Sequence, residues 1–413
     1  MSKSNIYSRL HTIFSPTSNA SNSIKSKFPN NQIPSLTKPP KSKTPNQSPV
    51  VSKGIQDLLD EKDSEKLVEK FKSLSEYKYF RHKYRLYGFV INRLALAKKF
   101  SLIEDAIESQ KIYATGDGYA SRLIYLYGKA GMFEHARKLF DEMPQQKPVQ
   151  RLKCFSALLG AASNTQQFEK VYELFRELPP KLSIKPNRDS YNIAANALCK
   201  LGLLDDALSL LDEMEVNGVE PNVVSYNTIL GHFYKKGMFE EGEKLWERMI
   251  KSGVVPDIMS YNFKLVGLIN DGKLSEAMEL VIEVESKGIR PDVGTYNALI
   301  LKCCKEDDLD GVRKWYKELL THGCIPNRVT FNTIIPFLCE KGDYGLAYEL
   351  CKRMFRRQCS VDESLMQKVV DGLAKNSMTE EAKILVGLGR SNTFFPYNLV
   401  MPKQGVMSYF LRV

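Results

Sequence analysis

Apolar side chains recur at helical spacing along most of this 413-residue chain, in short blocks that come in pairs. Residues 223–257 contain one such pair. The first block places four apolar residues on one face of a helix: Tyr226, Ile229, Leu230 and Phe233. The second block does the same: Phe239, Leu245, Trp246 and Met249. The pattern therefore predicts two amphipathic helices joined by a short turn.

The helix pair repeats with a period of 35 residues. Ser225-Tyr226-Asn227 opens one copy, and Ser260-Tyr261-Asn262 stands at the same place in the next. Three further segments fit the same frame: 188–222, 293–327 and 328–362. Fixed periods of about 20 to 50 residues are typical of stacked supersecondary units, which bury their apolar faces against their neighbours.

The residues that end each helix are also periodic. We expect Ser225 to cap the first helix, Lys236-Gly237 to end it, and Gly253 to turn the chain after the second helix before Pro256. The twentieth repeat position is usually small, which would let helices approach closely: Ala136, Ala207, Gly242, Ala277 and Ala347. The expected fold class is all-α, an α-solenoid of stacked helix-turn-helix repeats.

The regions outside the regular frame keep only part of the repeat pattern. We expect residues 57–116 to be degenerate helical repeats and 117–362 to be the repeat tract. Residues 363–390 keep the rhythm without its ending, which is typical of a truncated capping repeat, and 391–413 is expected to be an irregular tail.

Residues 1–56 carry eight Lys or Arg and no acid. A basic, Ser-rich, acid-poor leader is typical of an organelle transit peptide followed by a disordered linker, and Ile6 to Phe14 could form a short amphipathic helix. The alternative is a disordered basic tail on a cytosolic protein. We expect a mitochondrial location, with the chloroplast as the alternative. No segment has the length and apolarity of a membrane span.

Most of the positive net charge of the chain lies in the leader. Of the formal charge of +11, eight units lie in the leader, which leaves 11 − 8 = +3 for the rest. The eight cysteines form no Cys-x-x-Cys pair, and Cys199, Cys304 and Cys339 share the twelfth repeat position, where apolar packing is expected. No phosphate loop or catalytic constellation is visible. We therefore expect no metal, no cofactor and no enzymatic activity.

The Tyr-Asn pair near the repeat start, the Gly-x-x-Pro-Asp or Gly-x-x-Pro-Asn ending and the 35-residue length resemble the pentatricopeptide repeat family, in its P-type plant organellar form. The resemblance covers 152–362 strongly and 117–151 more weakly. The Trp-x-x-Leu-Gly signature of tetratricopeptide repeats is absent. The resemblance implies a right-handed α-solenoid that binds single-stranded RNA, one base per repeat.

The family rule assigns base choice to the fifth and last residues of each repeat. Applied here, it predicts these base-binding pairs: Ser156 with Asn187, Asn192 with Asn222, Asn227 with Asp257, Asn262 with Asp292, Asn297 with Asn327, and Asn332 with Asp362. By the same rule the repeats are read from the N- to the C-terminus along the RNA from 5′ to 3′, so the implied RNA core is A-C-U-U-C-U, with pyrimidine ambiguity. The alternative is that the closing Asp or Asn only caps the next helix. The fifth-position Asn has no such evident structural reason, and Ser121 with Arg151 fits no assignment.

Four lysines share the thirteenth position and are predicted to bind RNA phosphates: Lys129, Lys200, Lys235 and Lys305. Alternatively, they only favour the helix dipole at the end of the first helix. The second position flanks bases in this family; Val224, Met259 and Val329 fit that role, whereas Asp189 and Gly294 do not.

The expected function is sequence-specific binding of an organellar transcript, which would affect its stability, processing or translation by occupancy. The alternative is a mitochondrial ribosome-associated or protein-binding helical scaffold, because six regular repeats contact few bases. Neither a membrane nor DNA is an expected partner.

Overall fold

The computed structural model describes residues 48–113, 118–142, 148–357, 359–392 and 397–402. Over these ranges the chain forms α-helices and one 3₁₀ helix (Lys111–Tyr113), with no β-strand. None of the described helices is long and apolar enough to cross a membrane. The predicted all-α fold of stacked helix pairs is confirmed.

The described residues belong to two compact units, which divide between Ile229 and Leu230. The helices of the N-terminal unit are α1 (Ser48–Asp60), α2 (Ser64–Ser75), α3 (Lys78–Arg81), α4 (Tyr84–Leu96), α5 (Phe100–Glu108), α6 (Tyr119–Lys129), α7 (Phe133–Glu142), α8 (Pro148–Asn164), α9 (Phe168–Leu182), α10 (Arg188–Leu201) and α11 (Leu204–Val216). The division falls within α12 (Val223–Lys235).

The C-terminal unit continues the alternation of first and second helices. Its helices after α12 are α13 (Phe239–Lys251), α14 (Ile258–Asn270), α15 (Leu274–Ser286), α16 (Val293–Lys305), α17 (Leu309–Thr321), α18 (Arg328–Lys341), α19 (Tyr344–Arg356), α20 (Glu363–Lys375) and α21 (Thr379–Ser391). The first helices α14, α16, α18 and α20 pack side by side in chain order.

Small residues bring neighbouring helices together within each unit. In the N-terminal unit, a Cβ added to Gly128 of α6 would lie 2.4 Å from Cα of Ala161 in α8, so the two backbones touch. In the C-terminal unit, Gly242 at the twentieth position faces the ring of Tyr234, whose Cε1 would lie 2.6 Å from an added Cβ. Ala277 is fully buried at the equivalent place. Small residues at this position therefore lie in tightly packed surroundings in both repeats.

The predicted helix ends agree with the structure, except for one cap. Gly237 and Gly253 adopt φ angles of 75° and 73°, the left-handed conformation that a glycine adopts without strain. The expectation that Ser225 caps α12 is wrong. Asn222 precedes the helix, and its Oδ1 accepts from the Ser225 amide at 3.1 Å; the Ser225 hydroxyl accepts from the Asn222 amide at 3.2 Å. Ser225 is therefore the third residue of a reciprocal capping box.

Both ends of the described chain contain more structure than the repeat pattern predicts. Helix α1 begins inside the predicted leader and includes its residues 48–56. Two side chains of this helix, Val51 and Leu58, are fully buried, so the helix packs against the rest of the unit. The rest of that leader, with its proposed amphipathic helix, lies outside the described residues. Residues 363–390 contribute to a complete helix pair, α20 and α21.

Residues 397–402 form a C-terminal strap on α20 and the loop before it. The Tyr397 hydroxyl donates to the carbonyl of Val361 and accepts from its amide, both at 3.1 Å. The Gln367 side chain exchanges two hydrogen bonds with the Val400 backbone, at 2.8 and 3.0 Å. Leu399 is fully buried. These described residues of the expected irregular tail therefore cover apolar surface at the end of the helix stack.

Candidate nucleic-acid interface

The closing residue of most repeats caps the following first helix. In α14, Oδ1 of Asp257 accepts from the Ser260 amide at 2.9 Å, and the Ser260 hydroxyl accepts from the Asp257 amide at 3.1 Å. Asp292 and Asn327 form the same reciprocal box with α16 and α18. The sequence favours these boxes because each closing Asp or Asn precedes a Ser or Thr by three residues. Capping, weighed above as an alternative to base reading, is thus a real role of these residues.

The fifth-position asparagine joins this cap to the preceding repeat. Asn262 donates from Nδ2 to Oδ1 of Asp292 at 2.8 Å, and its Oδ1 accepts from the Thr295 hydroxyl at 2.8 Å. Asn297 makes the equivalent bonds one repeat later, to Asn327 at 3.3 Å and from Thr330 at 2.7 Å. The expectation that the fifth-position Asn has no structural reason is therefore wrong for these two repeats. Each amide fastens one repeat to the next.

The caps also determine which atom of the closing residue remains for a ligand. Oδ1 of Asp292 accepts from the amides of Gly294 and Thr295, and Oδ1 of Asn327 accepts from the Thr330 amide. Since an N-cap needs an acceptor, the second terminal atom is an acceptor oxygen in Asp292 but a donor nitrogen in Asn327. Neither second atom forms a hydrogen bond with another described residue. The outward atom of the closing residue therefore accepts hydrogen bonds in one repeat and donates them in the next.

The first predicted pair is connected through an intermediate serine. Ser156 and Ser190 have their hydroxyl oxygens 2.9 Å apart, and the Ser190 hydroxyl donates to Oδ1 of Asn187 at 2.9 Å. In the next pair, Asn192 is half-buried in α10 and Asn222 caps α12. Both pairs lie within the N-terminal unit.

The remaining pairs are less uniform. Asn227 is buried in the N-terminal unit, and Asp257 caps α14 in the C-terminal unit. Asn332 is exposed on α18, and Asp362 precedes α20 without a side-chain cap bond. The third residue after Asp362 is Leu365, which has no hydroxyl to complete the network. Among the predicted pairs that lie within one unit, this last pair is therefore the most exposed to solvent.

The unassigned pair Ser121 and Arg151 has a structural explanation. Helix α8 begins at Pro148, so Arg151 lies inside the helix instead of before it. Its guanidinium donates to the carbonyl of Leu182 at the end of α9, at 3.3 Å. Ser121 donates to the Gly118 carbonyl at 2.9 Å. The repeat frame is shifted here, and the closing position is not an N-cap.

An exposed apolar residue stands beside the network in three repeats. The exposed fractions of Val224, Met259 and Val329 are 53%, 54% and 57%. They occupy the second helical residue, whereas Asp189 and Gly294 stand there in two other repeats. Exposed apolar side chains can pack against the face of a flat ring, while the unsatisfied polar atoms beside them bind its polar edge.

The four predicted phosphate-binding lysines all lie exposed in the last turn of a first helix: Lys129, Lys200, Lys235 and Lys305. Eleven residues separate the second from the thirteenth position, about three helical turns, so both occupy one helix face. None of the four forms an ion pair with another described residue. Their position at the helix end is also the one that the helix dipole favours.

The cysteines are packing residues in the described structure. Burial raises the pKa of the Cys154, Cys304 and Cys339 thiols to about 11 each, which makes them poor nucleophiles at neutral pH. Among the described residues, no group of three or more His, Cys, Asp or Glu side chains has metal-binding geometry.

Sequence reasoning missed the role of the third-position hydroxyls. Ser190, Thr295 and Thr330 are buried, and each connects a fifth-position side chain to a closing residue. The signal was present, because the third, fifth and last positions are polar together in a mostly apolar frame. Its geometry depends on how adjacent repeats stack.

Comparison with known proteins agrees with the repeat pattern. The PPR repeat family profile matches 186–226, 221–269, 256–305 and 291–339, and the PPR repeat profile matches 121–147 and 329–359. The chain is 41% identical over 163 residues to the small ribosomal subunit protein mS79 (rPPR3b) of Arabidopsis thaliana, covering 39% of this chain and 41% of that protein. It is 44% identical over 161 residues to mS78 (rPPR3a) of the same plant, covering 38% and 40%.

The matched region thus spans about two-fifths of the length of these relatives. Among solved structures, the pentatricopeptide repeat protein PPR10 from maize aligns with 85% of this chain and 50% of its own, with 21% identity and a TM-score of 0.45.

Proposed function

We propose that this chain, which belongs to the pentatricopeptide repeat family, binds a single-stranded organellar RNA and acts by occupying it. The observation that carries the proposal is the repeated network at the start of the first helices. In that network, a closing residue that caps the next helix presents one outward polar atom beside a fifth-position amide. Occupancy would protect, expose or remodel the bound segment without a chemical step.

The outward atoms account for the predicted choice between pyrimidines. Uracil has a donor at N3, which the second carboxylate oxygen of Asp292 can accept. Cytosine has an acceptor at N3, to which Nδ2 of Asn327 can donate. In both repeats the fifth-position amide retains one N–H for a base carbonyl, since only one of its two amide hydrogens is used internally. The proposed core remains A-C-U-U-C-U with pyrimidine ambiguity.

The test concerns the repeat with Asn262 and Asp292, whose predicted base is the second uracil of the core. Under the family rule, Asn262→Thr with Asp292 prefers guanine. We expect affinity for the original RNA to fall by about 1–3 kcal/mol and to recover when that uracil becomes guanine. Anisotropy titrations with the four single-base RNA variants measure this directly.

Because Asn262 also bonds to Asp292 and Thr295, the variant should lose about 1 kcal/mol of stability. Circular dichroism must show that it remains helical at the temperature of the assay. A folded Asn262→Thr chain that ranks the four RNAs as the parent does would contradict base reading at this repeat.

A second candidate function is assembly with the small ribosomal subunit, and the similarity to mS78 and mS79 favours it. The two functions predict different behaviour in gradients of organelle lysate. A ribosomal component co-sediments with the small subunit and stays with it when the two ribosomal subunits are separated. A transcript factor instead follows one RNA and shifts to the top of the gradient after mild ribonuclease treatment.

We further propose a mitochondrial location, supported by the acid-free basic composition of the leader. A fluorescent fusion of residues 1–47, which ends before α1, should enter mitochondria, and the fusion of residues 1–56 should do the same. Accumulation in plastids would support the alternative location, and a diffuse cytosolic signal for both fusions would contradict import.

A further inference from the structure

Helices α4, α6 and α8 enclose a depression in the N-terminal unit that continues to the start of α10, which we call the N-terminal trough. Its part between α4 and α6 has a volume of about 500 Å³. The adjoining part between α6 and α8 shares Arg122 and Tyr125 with it and ends at Ser156 and Asn187, the first predicted base-reading pair. The trough therefore leads directly into the predicted RNA path within this unit.

Cations dominate the charge of the trough. It is lined by four basic side chains and one acid: Arg85, Arg122, Lys129, Lys153 and Asp189. None of these cations forms an ion pair with any residue at a described position. The guanidinium of Arg122 is held in place, since it donates to the Arg81 carbonyl at 2.7 Å and lies 5.3 Å from the Tyr119 ring centre.

Aromatic rings are exposed between these cations. The exposed fractions of Tyr84, Phe89 and Tyr125 are 59%, 38% and 48%. The floor is open because Gly88 has no side chain; the Nζ of Lys129 lies 3.8 Å from the place of a Cβ there. Exposed rings beside unpaired cations can stack bases and neutralise phosphates of a single strand, without sequence preference.

A second depression shows that this composition does not follow from the fold alone. In the C-terminal unit, a space of about 330 Å³ between α18 and α20 is lined by two acids and two lysines: Glu340, Asp371, Lys368 and Lys375. That balanced lining gives no net attraction for a polyanion. The excess of cations and exposed rings distinguishes the N-terminal trough from this second depression.

We propose that the N-terminal trough binds the unpaired nucleotides that flank the sequence-read core, by stacking and phosphate contacts that tolerate any base. Unpaired nucleotides offer a flat ring and an anion in each unit, and the trough provides partners for both. The proposal rests on the RNA-binding function proposed above and gives the degenerate helices a role that the base-reading rule does not. With the predicted polarity, the flanking nucleotides lie 5′ of the core.

The test uses the full chain and fluorescently labelled RNAs that contain the core alone, the core with four nucleotides added at its 5′ end, or the same four added at its 3′ end. The added nucleotides are in turn all A, all U and all C. We expect each 5′ extension to raise affinity about fivefold or more, and the 3′ extensions to raise it less.

Tyr84→Ala with Tyr125→Ala should abolish the gain from the 5′ extension while affinity for the core alone stays within twofold. Gly88→Leu, which fills the trough without removing a charge, should have the same effect. Arg85→Ala with Lys153→Ala should lower the salt slope for the extended RNA by up to about 1.4 units, or about 0.7 per contact. The matched controls, Tyr79→Ala and Lys66→Ala, change exposed residues outside the trough and should leave the gain intact.

An equal gain in the parent and in the folded trough variants would overturn the proposal, as would a gain at the 3′ end only. If the parent binds the core but gains nothing from extension, RNA binding stands and the trough role is wrong. If the parent binds neither the core nor the extended RNAs, the proposed function itself has failed. Trough variants that bind RNA normally but no longer co-sediment with ribosomal subunits would assign the trough to a ribosomal partner instead.

Discussion

The regular repeats of the C-terminal unit and the irregular helices around the N-terminal trough present different chemistry on the same kind of helix. At Asn262 and Asn297 the polar groups are held in place by caps and neighbouring hydroxyls, with one outward atom left in each closing residue. In the trough, exposed rings and unpaired cations replace that network. A fixed outward atom can distinguish bases, whereas a ring or a cation accepts any base. Under the two proposals, repeat regularity is required for specificity and not for affinity.

The largest expected effect concerns the cations of the regular repeats. Lys200, Lys235 and Lys305 changed together to Ala should remove about three phosphate contacts, which lowers the salt slope by about two units and affinity by roughly a hundredfold near 0.1 M salt. The loss should be equal for matched and mismatched RNAs. Titrations between about 50 and 200 mM salt measure it. An unchanged slope would show that these lysines serve only the helix ends.

The next effect tests whether one outward atom decides between pyrimidines. Asp292→Asn keeps the acceptor that caps α16, as Asn327 does for α18, but replaces the outward oxygen with a donor nitrogen. We expect the preference at this base to move from uracil to cytosine by about 1–3 kcal/mol. Competition binding with RNAs that differ at this base measures the shift. Loss of affinity for both pyrimidines would contradict this mechanism.

Much of the fold followed from periodicity, because helix faces, turn glycines and small contact residues each recur in the sequence. The capping network did not follow, since its bonds join residues 30 and 33 positions apart, such as Asn262 with Asp292 and Thr295. Only the stacking distance between repeats decides whether such side chains meet. The N-terminal trough was missed for a similar reason: Arg85 and Tyr125 are far apart in sequence, and Arg85 lies outside the repeat tract.

A smaller effect distinguishes the contribution of the network to stability from its proposed role in base recognition. Thr330→Val keeps the side-chain shape but removes the hydroxyl that bonds to Asn297 and to the Asn327 amide. Since Thr330 is fully buried, we expect a loss of about 1–2 kcal/mol of stability, measured by urea unfolding. Asn332 has no such hydroxyl in the following repeat, so removing its amide with Asn332→Ala should cost much less. Equal losses for both variants would show that the network adds no stability.

The smallest effect concerns the C-terminal end of the described chain. There, the strap of residues 397–402 buries Leu399 and uses the Tyr397 hydroxyl to pair both backbone groups of Val361. Tyr397→Phe keeps the ring and leaves those two groups without that partner, which should cost about 1 kcal/mol of stability.

Because Tyr397 is 5% exposed, the cost of the substitution should appear in unfolding rather than in binding. Hydrogen exchange should be faster at Val361 and over α20, and RNA affinity should stay within twofold of the parent. Asn398→Ala provides a matched control: its side chain is exposed, and the bond it makes to Glu363 comes from its backbone amide. A Tyr397→Phe chain that exchanges no faster than this control would show that the apolar contacts of the strap alone hold it in place. A large fall in RNA affinity would instead place the strap in the binding surface, and the contrast between the two ends would be lost.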